Sequence, residues 1–386
     1  MNWRDFDLTK RCEKVTRAFN REEVKSPEDV PVIINTPCYF EFANNPRQTD
    51  YYSNPASMVK FQEDGFLKHL SLVNDDTIPY FMPWFGTGIL AASFGCEYTL
   101  DFGAGNDPSV ISTLINSPKD AAKMKMPDPY KEKWMSLVLK FIDYAKENSD
   151  LPIGLTDMNS PLCTLRQLCG TEVYVWMYEE PNLVKDLMEI ITETLINWVK
   201  VQKKHIGEPL DASNGLQGVW SPKGVGIWLS DDDLVMISPE HYEEFVVPYY
   251  SRIFETFGGG SIHFCGNGSQ MGESLLKIKN IRVINNSPLG NFDAFEKLYK
   301  AIGGKVTIQL QDCAPILMDE YYGKLFERVT DLRGIMLSSF VLDTLGMDGN
   351  GGYEFVKWDP LKTANNIVSA VRRSVEKVIS KRYDLE

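Results

Sequence analysis

Arginine is missing between Arg47 and Arg166, and histidine occurs four times in 386 residues. A ligand bearing many carboxylates therefore finds no guanidinium over that span. Duplex nucleic acid, which needs clustered Lys and Arg to displace its counterions, is a poor partner. The overall balance agrees: 40 basic against 53 acidic side chains give a formal charge of −13, which also disfavours an anionic membrane surface. Long apolar runs are missing too. The longest weakly polar stretch, Pro83 to Cys96, is broken by Gly86, Gly88 and Ser93 and is too short to span a bilayer. Residues 1–20 are charged throughout and lack the apolar centre of a signal peptide. Seven scattered cysteines, an odd number, do not suit a secreted disulfide framework. The expectation is a cytoplasmic protein with reduced thiols and neither nucleic acid nor membrane as partner.

What is present is ordinary globular composition, with 43% apolar, 12% aromatic and 24% charged residues. No Gly-, Ser- or Pro-rich linker divides the chain, so residues 1–386 are expected to form a single domain. From residue 150 onwards short apolar runs alternate with amphipathic helical stretches. Strands are expected at Ile153 to Thr156, Ser261 to Phe264, Arg282 to Ile284, Val306 to Leu310 and Gly334 to Leu337. Helices are expected between them, including Pro239 to Phe257, and a closing helix at Leu361 to Ser380. Such alternation implies a parallel sheet with right-handed crossovers. The phosphate-binding patterns GxGxxG and GxxxxGK[ST] are both absent. That favours an α/β fold closed as a single (β/α)8 TIM barrel, whose chemistry sits just beyond the strand ends. Val32 to Thr36 is the candidate first strand, residues 1–30 a helical extension, and residues 75–148 an irregular aromatic and Gly-rich excursion.

The strongest local signal is Ser261-Ile262-His263-Phe264-Cys265-Gly266-Asn267-Gly268. Residues two apart in a strand share a face, so His263 and Cys265 project together at a strand end, where an imidazole and a thiolate suit Zn²⁺. A backbone-bonded histidine beside a buried cysteine fits the same residues. Cys313, after the strand Val306 to Leu310, is a third candidate ligand. Cys12, Cys96, Cys163 and Cys169 have the spacing of structural residues, and His69, His205 and His241 that of surface residues. Among carboxylates, Asp157 ends a strand, Asp231-Asp232-Asp233 follow Ile227 to Ser230, and Glu41 follows the first strand. Carboxylates at a barrel mouth bind substrate hydroxyls, deliver protons or complete a metal shell. Tyr39, Phe40, Phe42 and the run Tyr80 to Phe85, expected as a loop, crowd the N-terminal half with aromatic rings suited to a planar ligand.

At these residues the chain resembles the uroporphyrinogen decarboxylase superfamily. Ile262-His263-Phe264-Cys265-Gly266-Asn267 is similar to its I-H-x-C-G-[ND] segment. Ser230-Asp231-Asp232-Asp233, then Ile237-Ser238-Pro239-Glu240 and Phe245-Val246-Val247-Pro248-Tyr249, resemble its DD…SPE…F…PY run. Asp157-Met158-Asn159-Ser160-Pro161 looks like its D-x-x-[GS]-P segment, and the likeness extends over roughly residues 30–380. The resemblance implies a (β/α)8 barrel and one of two chemistries. Decarboxylases act without metal on a porphyrinogen bearing eight carboxylates, for which this chain offers little arginine. Zinc methyltransferases exchange a methyl group with a corrinoid protein, and in that branch the H-x-C pair supplies zinc ligands, a role carried here to His263 and Cys265. The thiol methyltransferases place a third Cys after the strand before the last helix. Here Leu337-Ser338-Ser339-Phe340 has none, so Cys313 substitutes, or a carboxylate completes the site, or no metal binds.

The resulting expectation is a corrinoid-dependent methyltransferase with zinc as Lewis acid. It would move a methyl group between a methoxylated compound or a thiol and a corrinoid protein. Asp157 or Asp232 would orient the substrate or supply a proton, and Tyr39, Glu41, Trp84 and Asn159 would contact it. A homo-oligomer is left open. The alternatives are a decarboxylase of tetrapyrrole biosynthesis and a non-catalytic corrinoid- or tetrapyrrole-binding barrel.

Overall fold

The structure, a computed structural model, describes residues 5–39, 50–100, 108–216 and 218–383. Its centre is a sheet of six parallel strands: β1 (Val32–Asn35), β2 (Ile227–Ser230), β3 (Gly260–Cys265), β4 (Ile281–Ser287), β5 (Thr307–Cys313) and β6 (Ile335–Phe340). The order is β1-β6-β5-β4-β3-β2. Two extended segments fill the gap between β1 and β2. Phe81 forms a parallel bridge to Ile153, and Asn159 one to Ser230. The Asp76 N–H donates to the Val32 carbonyl at 2.8 Å. These links give eight wall positions and close the (β/α)8 barrel. The run Tyr80 to Phe85, expected as a loop, therefore begins in the barrel wall. Tyr80 and Trp84 line an internal cavity and Phe85 packs on Phe141 of an outer helix, so both faces are apolar and the usual strand alternation is hidden.

Three strands run further than their apolar residues suggest. β4 continues through Asn285, Asn286 and Ser287, β5 through Gln311 and Asp312, and β6 through Ser338 and Ser339. All of these side chains are buried. Asn285, Gln311 and Ser338 hydrogen-bond one another across strands inside the barrel. Asn286 instead donates to the Phe264 and Gly266 carbonyls, Ser339 donates to the Asp312 carbonyl and Asp312 accepts from Tyr321.

The helices packed outside are set by local capping. In α1 (Pro55–Leu72) the Asn54 side chain accepts from the Ala56 N–H, with proline at the first turn. In α2 (Pro161–Cys169) Ser160 Oγ accepts from the Cys163 N–H. The 26-residue α3 (Pro181–Ile206) ends at Gly207 in the left-handed conformation. The single helix expected over Pro239 to Phe257 is two, Pro239–Phe245 and Val247–Thr256. Pro248 has no N–H to offer the Glu244 carbonyl, so the first helix stops there. The chain closes with α4 (Pro360–Tyr383). No helix among the described residues is long and apolar enough to cross a membrane.

The end of the barrel where the strands begin is plugged. The N-terminal helix Leu8–Phe19 lies across it, its Ala18 carbonyl 3.4 Å from Thr307 Oγ1 at the start of β5. Beside it the hairpin Ser213–Leu216/Val219–Ser221 pushes its tip inward. Gly218 at that tip has φ +85°, and a Cβ there would fall 2.6 Å from Asn35 Oδ1, so only glycine fits.

His69, expected at the surface, is fully buried in α1. Its Nε2 lies 3.1 Å from Asp75 Oδ2 and its Nδ1 3.1 Å from Thr36 Oγ1. Burial alone would lower its pKa, but the Asp75 carboxylate outweighs that and raises it to about 9. A helical pattern with charged neighbours conceals such a residue because its partners, Thr36 and Asp75, lie outside the helix.

Candidate functional site

The mouth formed by the strand C-termini gathers the chemistry-bearing side chains. His263 and Cys265 project from one face of β3, as their spacing implies, and Asp232 stands just beyond β2. The Cys265 N–H donates to Asp232 Oδ1 at 2.7 Å. Cys265 Sγ is 3.5 Å and Asp232 Oδ1 is 3.9 Å from His263 Nε2. One ligand atom from each of the three residues lies within 4.8 Å of the others, a cluster able to hold a metal ion. His263 is buried, with its ring stacked on Trp228 at 5.4 Å, whereas the Asp232 side chain is 56% exposed and opens the cluster to the mouth. Burial, then the charges of Asp232 and Asp312, push the Cys265 thiol well up, so without a cation it stays protonated.

The three aspartates that the sequence leaves undivided take separate roles. Asp231 is fully buried behind the cluster and accepts from Ser160 Oγ at 2.6 Å, Tyr250 OH at 2.7 Å and Tyr242 OH at 3.0 Å. Burial raises its carboxyl to about 7 against the pull of those donors. Asp233 turns outward to Arg166, 3.1 Å away, and to Tyr174 OH at 3.0 Å. Only Asp232 joins the cluster. The aspartate expected as acid or orienter thus also stands where it could complete a metal shell.

Cys313, the third ligand candidate, ends β5 half-buried and lies outside the group of three. Burial raises its thiol to about 11. Asp157 is buried, its Oδ1 accepting from the Met158 N–H at 2.8 Å, and Asn159 is held in the wall by its bridge to Ser230. Tyr39 and Trp84 do come together: with Tyr51, Phe66 and Tyr80 they line a cavity of about 20 Å³, little more than room for one water molecule. It sits at β1 and the neighbouring wall segment, across the barrel from β3. Tyr39 OH lies 2.8 Å from the Ile34 carbonyl, and its ring stacks on Phe66 at 4.0 Å. Glu41 lies outside the described residues. Asn285, 2.6 Å from His263 Nδ1, was not apparent from motifs. The available signal was the Asn285-Asn286 pair directly after a strand's apolar residues.

Fold and site together define a (β/α)8 barrel with a nitrogen, sulfur and oxygen donor cluster at the C-terminal end of its strands. The model of the uroporphyrinogen decarboxylase (URO-D) family matches residues 10–214, more than half of the chain, and the protein belongs to that family. The matched stretch ends before Asp232, His263 and Cys265. A comparison with curated proteins finds no match. Among solved structures, a methyltransferase from Methanosarcina mazei shares the fold with a TM-score of 0.63 at 16% identity, over 93% of this chain and 97% of that one.

Proposed function

We propose that this protein is a methyltransferase in which Asp232, His263 and Cys265 hold a zinc ion. The observation that carries the reading is the donor set, three different ligand atoms within 4.8 Å of one another at the barrel mouth. One imidazole, one thiolate and one carboxylate suit zinc, and three protein ligands leave the open position that a catalytic site keeps. When bound, the ion supplies Lewis acidity, either to the leaving oxygen of a methoxylated compound or to an acceptor thiol held as thiolate.

The methyl group passes between that small molecule and a corrinoid carried by a partner protein docked on the mouth. In the methoxyl reading the C–O bond would break, the methyl would pass as a cation equivalent to the electron pair of the partner corrinoid's Co(I), and the oxygen would take up a proton. Asp157, buried and near enough for its charge to act on Tyr80, is the carboxyl we assign to orient the substrate or supply that proton. Tyr39 and Trp84 provide an apolar wall opposite the cluster. Seven free cysteines fit a reducing compartment, and we place the protein in the cytoplasm. Decarboxylation of a polycarboxylate gains no support from the site: Arg166, the first arginine after Arg47, is engaged by Asp233.

Elemental mass spectrometry on protein purified without chelators tests the metal. About one zinc per chain is expected in the wild type and none in His263→Ala. Methyl transfer is then assayed with methoxylated compounds and with thiols in the presence of a corrinoid protein. Full transfer by His263→Ala, or a wild type free of zinc, would overturn the reading.

A further inference from the structure

His263 offers the cluster only one ring nitrogen, and the choice is made on the far side of the ring. Its Nδ1 lies 2.6 Å from Asn285 Oδ1. The Asn285 amide nitrogen donates to Gln311 Oε1 at 2.9 Å. That oxygen also accepts from Ser338 Oγ at 3.1 Å and from Gln309 Nε2 at 3.3 Å, and Gln309 Nε2 donates to Ser338 Oγ at 2.9 Å. The network runs across four neighbouring strands, β3 to β6, and every member is at least nine-tenths buried. An amide nitrogen only donates. With that nitrogen committed to Gln311, Asn285 turns its oxygen to the imidazole. The ring must then carry its proton on Nδ1, and Nε2 presents its lone pair to Cys265 Sγ and Asp232 Oδ1.

We propose that Asn285 is the positioning residue of the site, holding His263 as the Nδ1–H tautomer so that Nε2 is ready to ligate a metal. Free histidine favours the opposite tautomer, so the protein imposes this one through a hydrogen bond that is itself anchored three residues deep. Trp228, stacked on the ring, fixes its plane, while Asn285 fixes its rotation within that plane. Ligating histidines are commonly held this way, and loss of the outer partner weakens metal binding. The consequence for the metal rests on the zinc reading above; the tautomer rests on geometry alone.

The test reads both. Two-dimensional ¹H–¹⁵N spectra of the imidazoles, with only four histidines to assign, are recorded on metal-free wild type and on Asn285→Leu in alkaline buffer. Wild-type His263 is expected as Nδ1–H and the variant as mainly Nε2–H. Zinc titration should show affinity reduced by about 10–100-fold in the variant. Wild-type His263 found as Nε2–H would overturn the proposal, as would a folded Asn285→Leu protein with an unchanged tautomer or wild-type zinc affinity. If the variant does not fold, the wild-type tautomer decides. If the wild type binds no zinc, the metal assignment fails by itself, and the metal-free spectra still decide the role of Asn285.

Discussion

Raising the pH from 6.5 to 9 should weaken this fold through one buried pair. His69 and Asp75 are both fully buried and 3.1 Å apart. Burial opposes the His69 charge, but Asp75 outweighs it and lifts the pKa from 6.5 to about 9. Burial likewise opposes the Asp75 charge, and the imidazolium, helped by Thr77 and the Ile34 N–H, keeps that carboxyl below its usual value. Between the two histidine values the folded protein holds a proton that the unfolded chain gives up. The stabilisation is therefore complete below pH 6.5 and disappears as the pH rises through about 9. A displacement of this size corresponds to about 3 kcal/mol. The assay is urea unfolding, followed by tryptophan fluorescence at closely spaced pH values, on wild type and His69→Gln. The glutamine amide still donates to Asp75 but does not titrate, so the difference between the two proteins should shrink by about 3 kcal/mol across the window. Parallel stability curves for the two proteins from pH 6.5 to 9 would refute the reasoning.

Other consequences are as direct. Asp232→Ala should lose zinc binding measured by calorimetry, whereas Cys313→Ser should keep it, since Cys313 lies outside the cluster. Gly65→Ala would place a Cβ 1.9 Å from the Cys38 carbonyl oxygen. Thermal denaturation should then show a loss at or above the about 1–3 kcal/mol usual for overpacking. Tyr250→Phe removes the 2.7 Å donor to buried Asp231 and should cost about 1–3 kcal/mol in chemical unfolding.

The alternation of strands and helices, the absence of phosphate loops and the H-x-C spacing were legible because each depends on neighbours within a few residues. What the chain hid depends on partners far along it. Apolar periodicity ended β4, β5 and β6 at Ile284, Leu310 and Leu337, although they continue through Asn285, Gln311 and Ser338. Those polar residues look like turns in sequence and become strand only because they satisfy one another inside the barrel. The division of labour among Asp231, Asp232 and Asp233 was equally hidden. It is fixed by Ser160 and Tyr250 on one side, Cys265 on another and Arg166 on a third. Residues two apart announce a shared face, but a run of three identical side chains at a strand end does not say which way each will point.

The plug at the strand N-termini has a consequence for traffic. Among the described residues the helix Leu8–Phe19 covers that end and the Gly218 tip approaches Asn35, whereas the opposite end is the opening at which Asp232, His263 and Cys265 stand. Any two reactants that meet there arrive and depart through the same opening. The larger must come second and leave first, so the sequence of arrivals is dictated by bulk. In the proposed methyl transfer, each turnover would wait for the outer guest to step away before the inner one can be exchanged.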